Sequence, residues 1–121
     1  MTGRSQTVLV IEDDLEVLGI IRAHLSSAGY QVLVAQTGDV GVELARSQPV
    51  DLITLDLLMS PVDGRDVLRR LRAHASTRNI PVLLVTVVDE LSDDMAADGY
   101  VSKPFLGRRL LAEVRRLLPP S

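Results

Sequence analysis
Five side chains in this sequence have the types and spacing to act on one another: Glu12, Asp13, Asp56, Thr86 and Lys103. Each sits at the end of a short apolar run. Val8-Leu-Val-Ile11 leads to Glu12 and Asp13, Leu52-Ile-Thr-Leu55 to Asp56, Pro81-Val-Leu-Leu-Val85 to Thr86, and Gly99-Tyr-Val-Ser102 to Lys103. Runs this short, β-branched and bounded by turn-formers, read as buried strands. The carboxyl ends of such strands are where open α/β sheets place their chemistry. Three carboxylates brought together repel, and each pKa rises unless positive charge joins them. Lys103 offsets one charge, and a divalent cation offsets the rest. A small set of oxygen ligands on a wet edge suits Mg²⁺, which keeps several waters and takes one or two carboxylates plus a phosphate. No His or Cys stands at these positions, which argues against zinc. Beside a cation, an ammonium and a hydroxyl, Asp56 becomes a nucleophile suited to receiving a phosphoryl group. Such a transfer depends on positioning and charge neutralisation more than on proton transfer.

The elements that must position these groups follow in chain order. The strand from Thr7 to Ile11 stops at Glu12, Asp13 and Asp14. Asp14 is placed to cap a helix with Leu15, Leu18, Ile21, Leu25 and Ala28 on one face and Gly29 as its stop. Tyr30 to Ala35 reads as a strand. Thr37 caps a short helix carrying Val40, Leu44 and Ala45, which ends before Pro49. The strand ending at Asp56 opens into a Ser60-Pro61 loop, and Asp63 caps a helix with Val67, Leu68 and Leu71 inward and Arg65, Arg69, Arg70 and Arg72 mostly outward. The strand to Thr86 is followed by an acidic stretch, 89–98, able to form only a short helix. The brief strand Gly99 to Lys103 ends at Pro104, and a last helix presents Leu110, Leu111, Val114, Leu117 and Leu118 before Pro119-Pro120. Strands and helices alternate five times. This predicts an α/β fold, a doubly wound five-stranded parallel sheet of order 2-1-3-4-5 with a shortened fourth helix. In that order the strands bearing the acids, Thr86 and Lys103 are neighbours about 4.8 Å apart.

Composition narrows the function classes. At 121 residues one domain is expected, its core running from about 7 to 118. The net charge of −3 gives no basic surface for nucleic acid or anionic lipid. With no cysteine there is neither a disulfide nor a thiolate metal site. No run is long enough for a signal-peptide core or a bilayer span, so a cytoplasmic location is expected. His24 and His74 lie on helices away from the acidic edge and read as surface residues rather than phosphotransfer groups.

In order and separation these motifs resemble the receiver domain of two-component response regulators, the flavodoxin-like fold of the chemotaxis protein CheY. The matching stretches are Val8 to Asp13, Asp51 to Asp56, Pro61 to Gly64, Pro81 to Thr86 and Tyr100 to Phe105. The resemblance implies that Asp56 accepts phosphate from a histidine kinase or phosphotransfer protein. It implies that Glu12, Asp13, Asp56 and the backbone carbonyl of Leu58 hold Mg²⁺. Thr86 and Lys103 would contact the phosphoryl oxygens, Tyr100 would be an aromatic switch, and Lys103-Pro104 would be a cis bond. Physically, a phosphoryl group at Asp56 carries about 1.5–2 negative charges. Thr86 can swing toward it, Tyr100 can turn into the space left, and a protein-binding face changes shape. Such a domain is not an enzyme beyond its own phosphorylation and dephosphorylation. Its expected partners are the kinase and a downstream protein, with no direct contact to nucleic acid or membrane, and it is monomeric or dimerises on phosphorylation. No helix-turn-helix or second core is legible, so output is expected through protein binding, phosphorelay, or an effector outside this sequence.

The sequence also departs from the family pattern. Glu12 stands where Asp is commoner, and Val87 follows Thr86 where Ala or Gly is usual. The loop proline is one place late, with Ser60 in its usual position, and the stretch from Thr86 to Lys103 is short. The last feature is similar to receivers attached to hybrid sensor kinases. Leu58 and Val88, two places beyond Asp56 and Thr86, are expected to flank the path of an attacking water without orienting it. The competing readings are a pseudo-receiver that only binds proteins, a haloacid-dehalogenase-type phosphatase, and a flavodoxin. The phosphatase needs an acid at position 58, which is Leu. The flavodoxin needs a phosphate cradle where this chain has acids.

Overall fold
A computed structural model describes residues 5–88 and 96–119. Five strands, β1 (Thr7–Ile11), β2 (Gln31–Ala35), β3 (Leu52–Leu55), β4 (Val82–Thr86) and β5 (Gly99–Ser102), form one parallel sheet in the order β2-β1-β3-β4-β5. The helices are α1 (Leu15–Ser27), α2 (Gly38–Ser47), α3 (Gly64–Ala73) and α4 (Gly107–Leu117). The fold and strand order are those expected. The short helix expected over 89–98 falls largely on 89–95, outside the described residues.

Alternation along the strands divides the core into two layers. Leu9, Ile11, Ile53, Leu55 and Leu84 face α2 and α3, packing with Val42, Ala45, Val67, Leu68 and Leu71. Val8, Val10, Leu52, Leu83, Val85 and Val101 face α1 and α4, packing with Leu18, Ile21, Leu25, Leu110 and Val114. Both faces of the central strands are buried, which is why they read as unbroken apolar runs.

The caps follow the sequence. Asp14 Oδ1 accepts from the Glu16 and Val17 amides, Thr37 Oγ1 from Val40, and Asp63 Oδ1 from Arg65. At the end of α1, Gly29 adopts φ 95°. The Gly29 and Tyr30 amides then close onto the Ser26 and Leu25 carbonyls, the paired closure that a left-handed residue permits.

Three expectations need correction. Leu15, in the first turn, is exposed rather than part of the buried face of α1, which starts at Leu18; Ala28, at the other end, is also exposed. Val40 is exposed too: α2 turns Gly38, Gly41, Val42 and Ala45 inward, so its buried face is rotated from the one expected. Arg72 does not project outward with the other α3 arginines. Its side chain is 19% exposed and donates to the Ile80 carbonyl at 2.7 Å, Arg78 at 3.1 Å, Ala96 at 2.8 Å and the Asp98 carboxylate at 2.8 Å. Asp98 in turn accepts from the Val82 amide, so one guanidinium ties the end of α3 to the starts of β4 and β5.

Candidate phosphoryl-transfer site
Parallel pairing fixes which strand ends meet. Ile11 is level with Leu55, and Thr86 with Ser102, so the residues just beyond them share one edge. Glu12 and Asp56 are buried there, 1% and 5% exposed, while Asp13 is exposed. One carboxylate oxygen from each of the three acids lies within 4.8 Å of the others. Lys103 Nζ donates to Glu12 Oε1 at 2.6 Å and to Asp56 Oδ2 at 2.9 Å. Backbone amides hold three of the remaining four oxygens: Asp14 N–H reaches Glu12 Oε2 at 3.2 Å, Leu58 N–H reaches Asp56 Oδ1 at 3.1 Å, and Ser60 N–H reaches Asp13 Oδ2 at 3.3 Å.

The loop carrying these donors is shaped by Gly64. Its amide bonds the Leu57 carbonyl at 2.9 Å, and a Cβ there would overlap the Asp56 carbonyl and stand 2.6 Å from Leu57 Cα. Glycine is therefore required where α3 begins under the loop. The Ser60-Pro61 and Lys103-Pro104 bonds are both cis. The second was expected and the first was not.

Electrostatics follow from this crowding. Burial pushes Glu12 up to about 7; the hydrogen bonds from Lys103 and the Asp14 amide pull against it, and the charge of Asp56 adds to the rise. For Lys103, burial works to discharge the ammonium, but its bonds to Glu12 and Asp56 outweigh that and raise its pKa above the ordinary value. The cluster thus carries more negative charge than one lysine neutralises. An all-oxygen donor set of this kind fits a hard divalent cation.

The other sequence-predicted residues are placed as follows. Thr86 is fully buried at the end of β4, its Oγ1 accepting from the Val88 amide at 3.4 Å, while its carbonyl takes the Lys103 amide at 2.9 Å. Leu58 is 51% exposed beside Asp56. Val88 packs on the α2–α3 core layer, and it is Val87, 56% exposed, that stands open to solvent next to Thr86. Tyr100 packs on the same layer, and its hydroxyl is buried without a partner among the described residues. His24 is half-buried with its ring against Gly107 at the start of α4, where a Cβ would collide with it.

Sequence reasoning missed the three amide donors, because backbone groups carry no residue-type signal. It also missed Thr77, buried, whose hydroxyl donates to the Leu71 carbonyl at 2.6 Å and finishes α3. Among the described residues no helix is long and apolar enough to cross a membrane.

Comparison with known proteins bears on this geometry. The family model described as response regulator receiver domain matches residues 8–115. The chain is 40% identical over 116 residues to the DNA-binding dual master transcriptional regulator RpaA of Synechocystis, covering 92% of this chain and 48% of that protein. It is 38% identical over 116 residues to the response regulator MprA of Mycolicibacterium vanbaalenii, covering 92% and 49%. The chain thus spans about half the length of the curated relatives it matches. Among solved structures, the receiver domain of a Pseudomonas aeruginosa sensor histidine kinase, with a magnesium ion coordinated in its active-site cleft, aligns with TM-score 0.86 and 28% identity, covering 94% of this chain and 98% of that one. The chemotaxis protein CheY4 of Vibrio cholerae aligns with TM-score 0.87 and 25% identity, covering 95% and 100%.

Proposed function
The chain belongs to the response regulator receiver domain family of two-component signalling, and on that premise we propose that it takes a phosphoryl group from a phosphohistidine onto Asp56. The observation that carries this reading is Lys103 Nζ bridging Glu12 and Asp56 at 2.6 and 2.9 Å, with Asp13 alongside. Glu12, Asp13, Asp56 and the Leu58 carbonyl would hold Mg²⁺, which supplies positive charge to offset the carboxylates and the incoming phosphoryl oxygens.

The residues of the chain divide the remaining work. Asp56 Oδ attacks phosphorus as the P–N bond to the donor imidazole breaks, giving an acyl phosphate. The electron pair stays on the released imidazole nitrogen. Leu58 N–H and Lys103, already bonded to the two Asp56 oxygens, fix the carboxylate in the attacking orientation. Thr86, at the neighbouring strand end, supplies a hydroxyl for a phosphoryl oxygen. Leu15, Leu58, Val87 and Leu106, each at least half exposed, lie in the segments that follow β1, β3, β4 and β5. These apolar side chains are suited to a protein partner that presents the phosphohistidine.

The test is intact-mass analysis after incubation with acetyl phosphate and Mg²⁺, with EDTA as control. One phosphoryl group is expected per chain, and none on Asp56→Asn. Label retained on Asp56→Asn would assign a different acceptor. No label on the wild type under any donor would make the chain a non-phosphorylated interaction module.

A further inference from the structure
Each acid of the cluster accepts a backbone amide, but the three bonds differ in kind. Glu12 and Asp56 are buried, take their amides from two residues further along their own loops, and are gripped by Lys103 as well. Asp13 is exposed and out of reach of that grip. The one hydrogen bond its carboxylate accepts among the described residues comes from another loop, from Ser60 N–H at 3.3 Å. A carboxylate at a wet edge without such a tether samples several rotamers, and a ligand that needs one of them must bear the cost of ordering it.

We propose that Ser60 is a positioning residue for a divalent cation, acting through its backbone amide to hold Asp13 turned toward Glu12 and Asp56 while leaving the second Asp13 oxygen free. The inference rests on the metal reading given above. A proline at position 60 could not play this part, since it has no N–H. In this chain the proline is Pro61, and residue 60 keeps its donor. The bond is long and solvent-facing, so its effect belongs at the lower end of what partners of metal ligands contribute, about tenfold in affinity.

The test uses the whole unphosphorylated chain at fixed pH, with Mg²⁺ alone as the probe, read by titration calorimetry and by amide shifts in NMR. Ser60→Pro should weaken Mg²⁺ binding about tenfold, and Ser60→Ala, which keeps the amide and loses only the hydroxyl, should restore it. In metal-free buffer the Ser60 amide should exchange with solvent severalfold faster in Asp13→Ala than in wild type, a readout that does not depend on whether Ser60→Pro folds. A folded Ser60→Pro that binds Mg²⁺ as well as wild type or better, or a Ser60 exchange rate indifferent to Asp13→Ala, overturns the role of Ser60 and leaves the metal reading standing. A wild-type chain that takes up no Mg²⁺ overturns the metal reading, and the proposal falls with it.

Discussion

Glu12 makes the metal-free protein less stable at neutral pH than in mild acid, and Glu12→Gln should expose this. Burial raises the folded-state pKa of Glu12 from 4.5 to about 7. Below pH 4.5 the group is protonated in both states and contributes no pH dependence. Between 4.5 and about 7 the unfolded chain has released the proton while the folded chain retains it, so stability falls as pH rises, and the loss is complete above 7. At about 1.4 kcal/mol for each tenfold change in proton affinity, the full loss is about 3 kcal/mol. Lys103 does not contribute in this window, because its raised pKa lies above the ordinary lysine value and its stabilisation is lost only in strong alkali.

Gln keeps the shape of the side chain and can still accept from Lys103. Its amide nitrogen, however, faces the Asp14 N–H that now donates to Oε2, a mismatch of about 1 kcal/mol. Glu12→Gln should therefore be about 2 kcal/mol more stable than wild type at pH 8 and slightly less stable at pH 4.5. The assay is urea unfolding in EDTA at half-unit steps from pH 4.5 to 8, taken as the difference between the two proteins so that groups not in contact with position 12 cancel. A difference that stays flat, or that slopes the opposite way, would refute the burial of Glu12 as the cause. Mg²⁺ added at a hundred times its Kd should return about 2.7 kcal/mol to wild type at pH 8, and much less to the variant.

Two further substitutions test the scaffold. Thr54 Oγ1 is buried in β3 with no partner among the described residues, so Thr54→Val should raise stability by about 1 kcal/mol, read as a higher urea midpoint with an unchanged slope. Arg72→Ala strands the Ile80 and Ala96 carbonyls that now accept at 2.7 and 2.8 Å and leaves Asp98 without its ion pair, for a loss of about 2–3 kcal/mol by the same measurement. Arg72→Lys should recover little of it, since a single ammonium cannot reach three carbonyls and a carboxylate together.

Most of the fold was legible in the sequence because a few local rules suffice for it. Unbroken apolar runs between turn-formers specify strands buried on both faces, and Asp14, Thr37, Asp63 and Gly29 mark helix ends by chemistry that acts within three or four residues. Once the sheet is parallel, its strand ends share an edge, so bringing Glu12, Asp13, Asp56 and Lys103 together needed no long-range information beyond strand order. What was not legible depends on contacts between segments that have no periodicity. Arg72 resembles its neighbours Arg69 and Arg70 on a helical wheel, and only the path of 78–80 and 96–98 turns it into a clamp. Val87 and Val88 are alike in type, and only the path of the chain leaving β4 sends one outward and packs the other, partly buried, against the core. The depth of Glu12, which sets its charge state, is a property of the packed loops and not of a residue pattern.

The charge count at the crevice shows why a switch of the proposed kind would be driven by electrostatics. Three carboxylates against one lysine leave a surplus of two negative charges when Glu12 is ionised, which one divalent cation neutralises. Phosphorylation then replaces the single charge of the Asp56 carboxylate with the about 1.5–2 negative charges of an acyl phosphate, a net gain of about 0.5–1 with no formal positive charge left to meet it. Only hydrogen-bond donors that are not already committed can respond. Lys103 is held by two carboxylates at 2.6 and 2.9 Å and has little freedom to turn. Thr86 is different: its hydroxyl oxygen is held by one long 3.4 Å contact from the Val88 amide, and a single χ1 rotation is all it needs to re-aim. Thr86 also lies two residues from Leu84, the β4 partner of Tyr100 in the sheet register, and the buried Tyr100 hydroxyl has no partner among the described residues. On the proposed reading, the loosest donor at the site thus lies one strand away from Tyr100. That pairing allows a charge placed on Asp56 to be felt at β5 without moving the sheet.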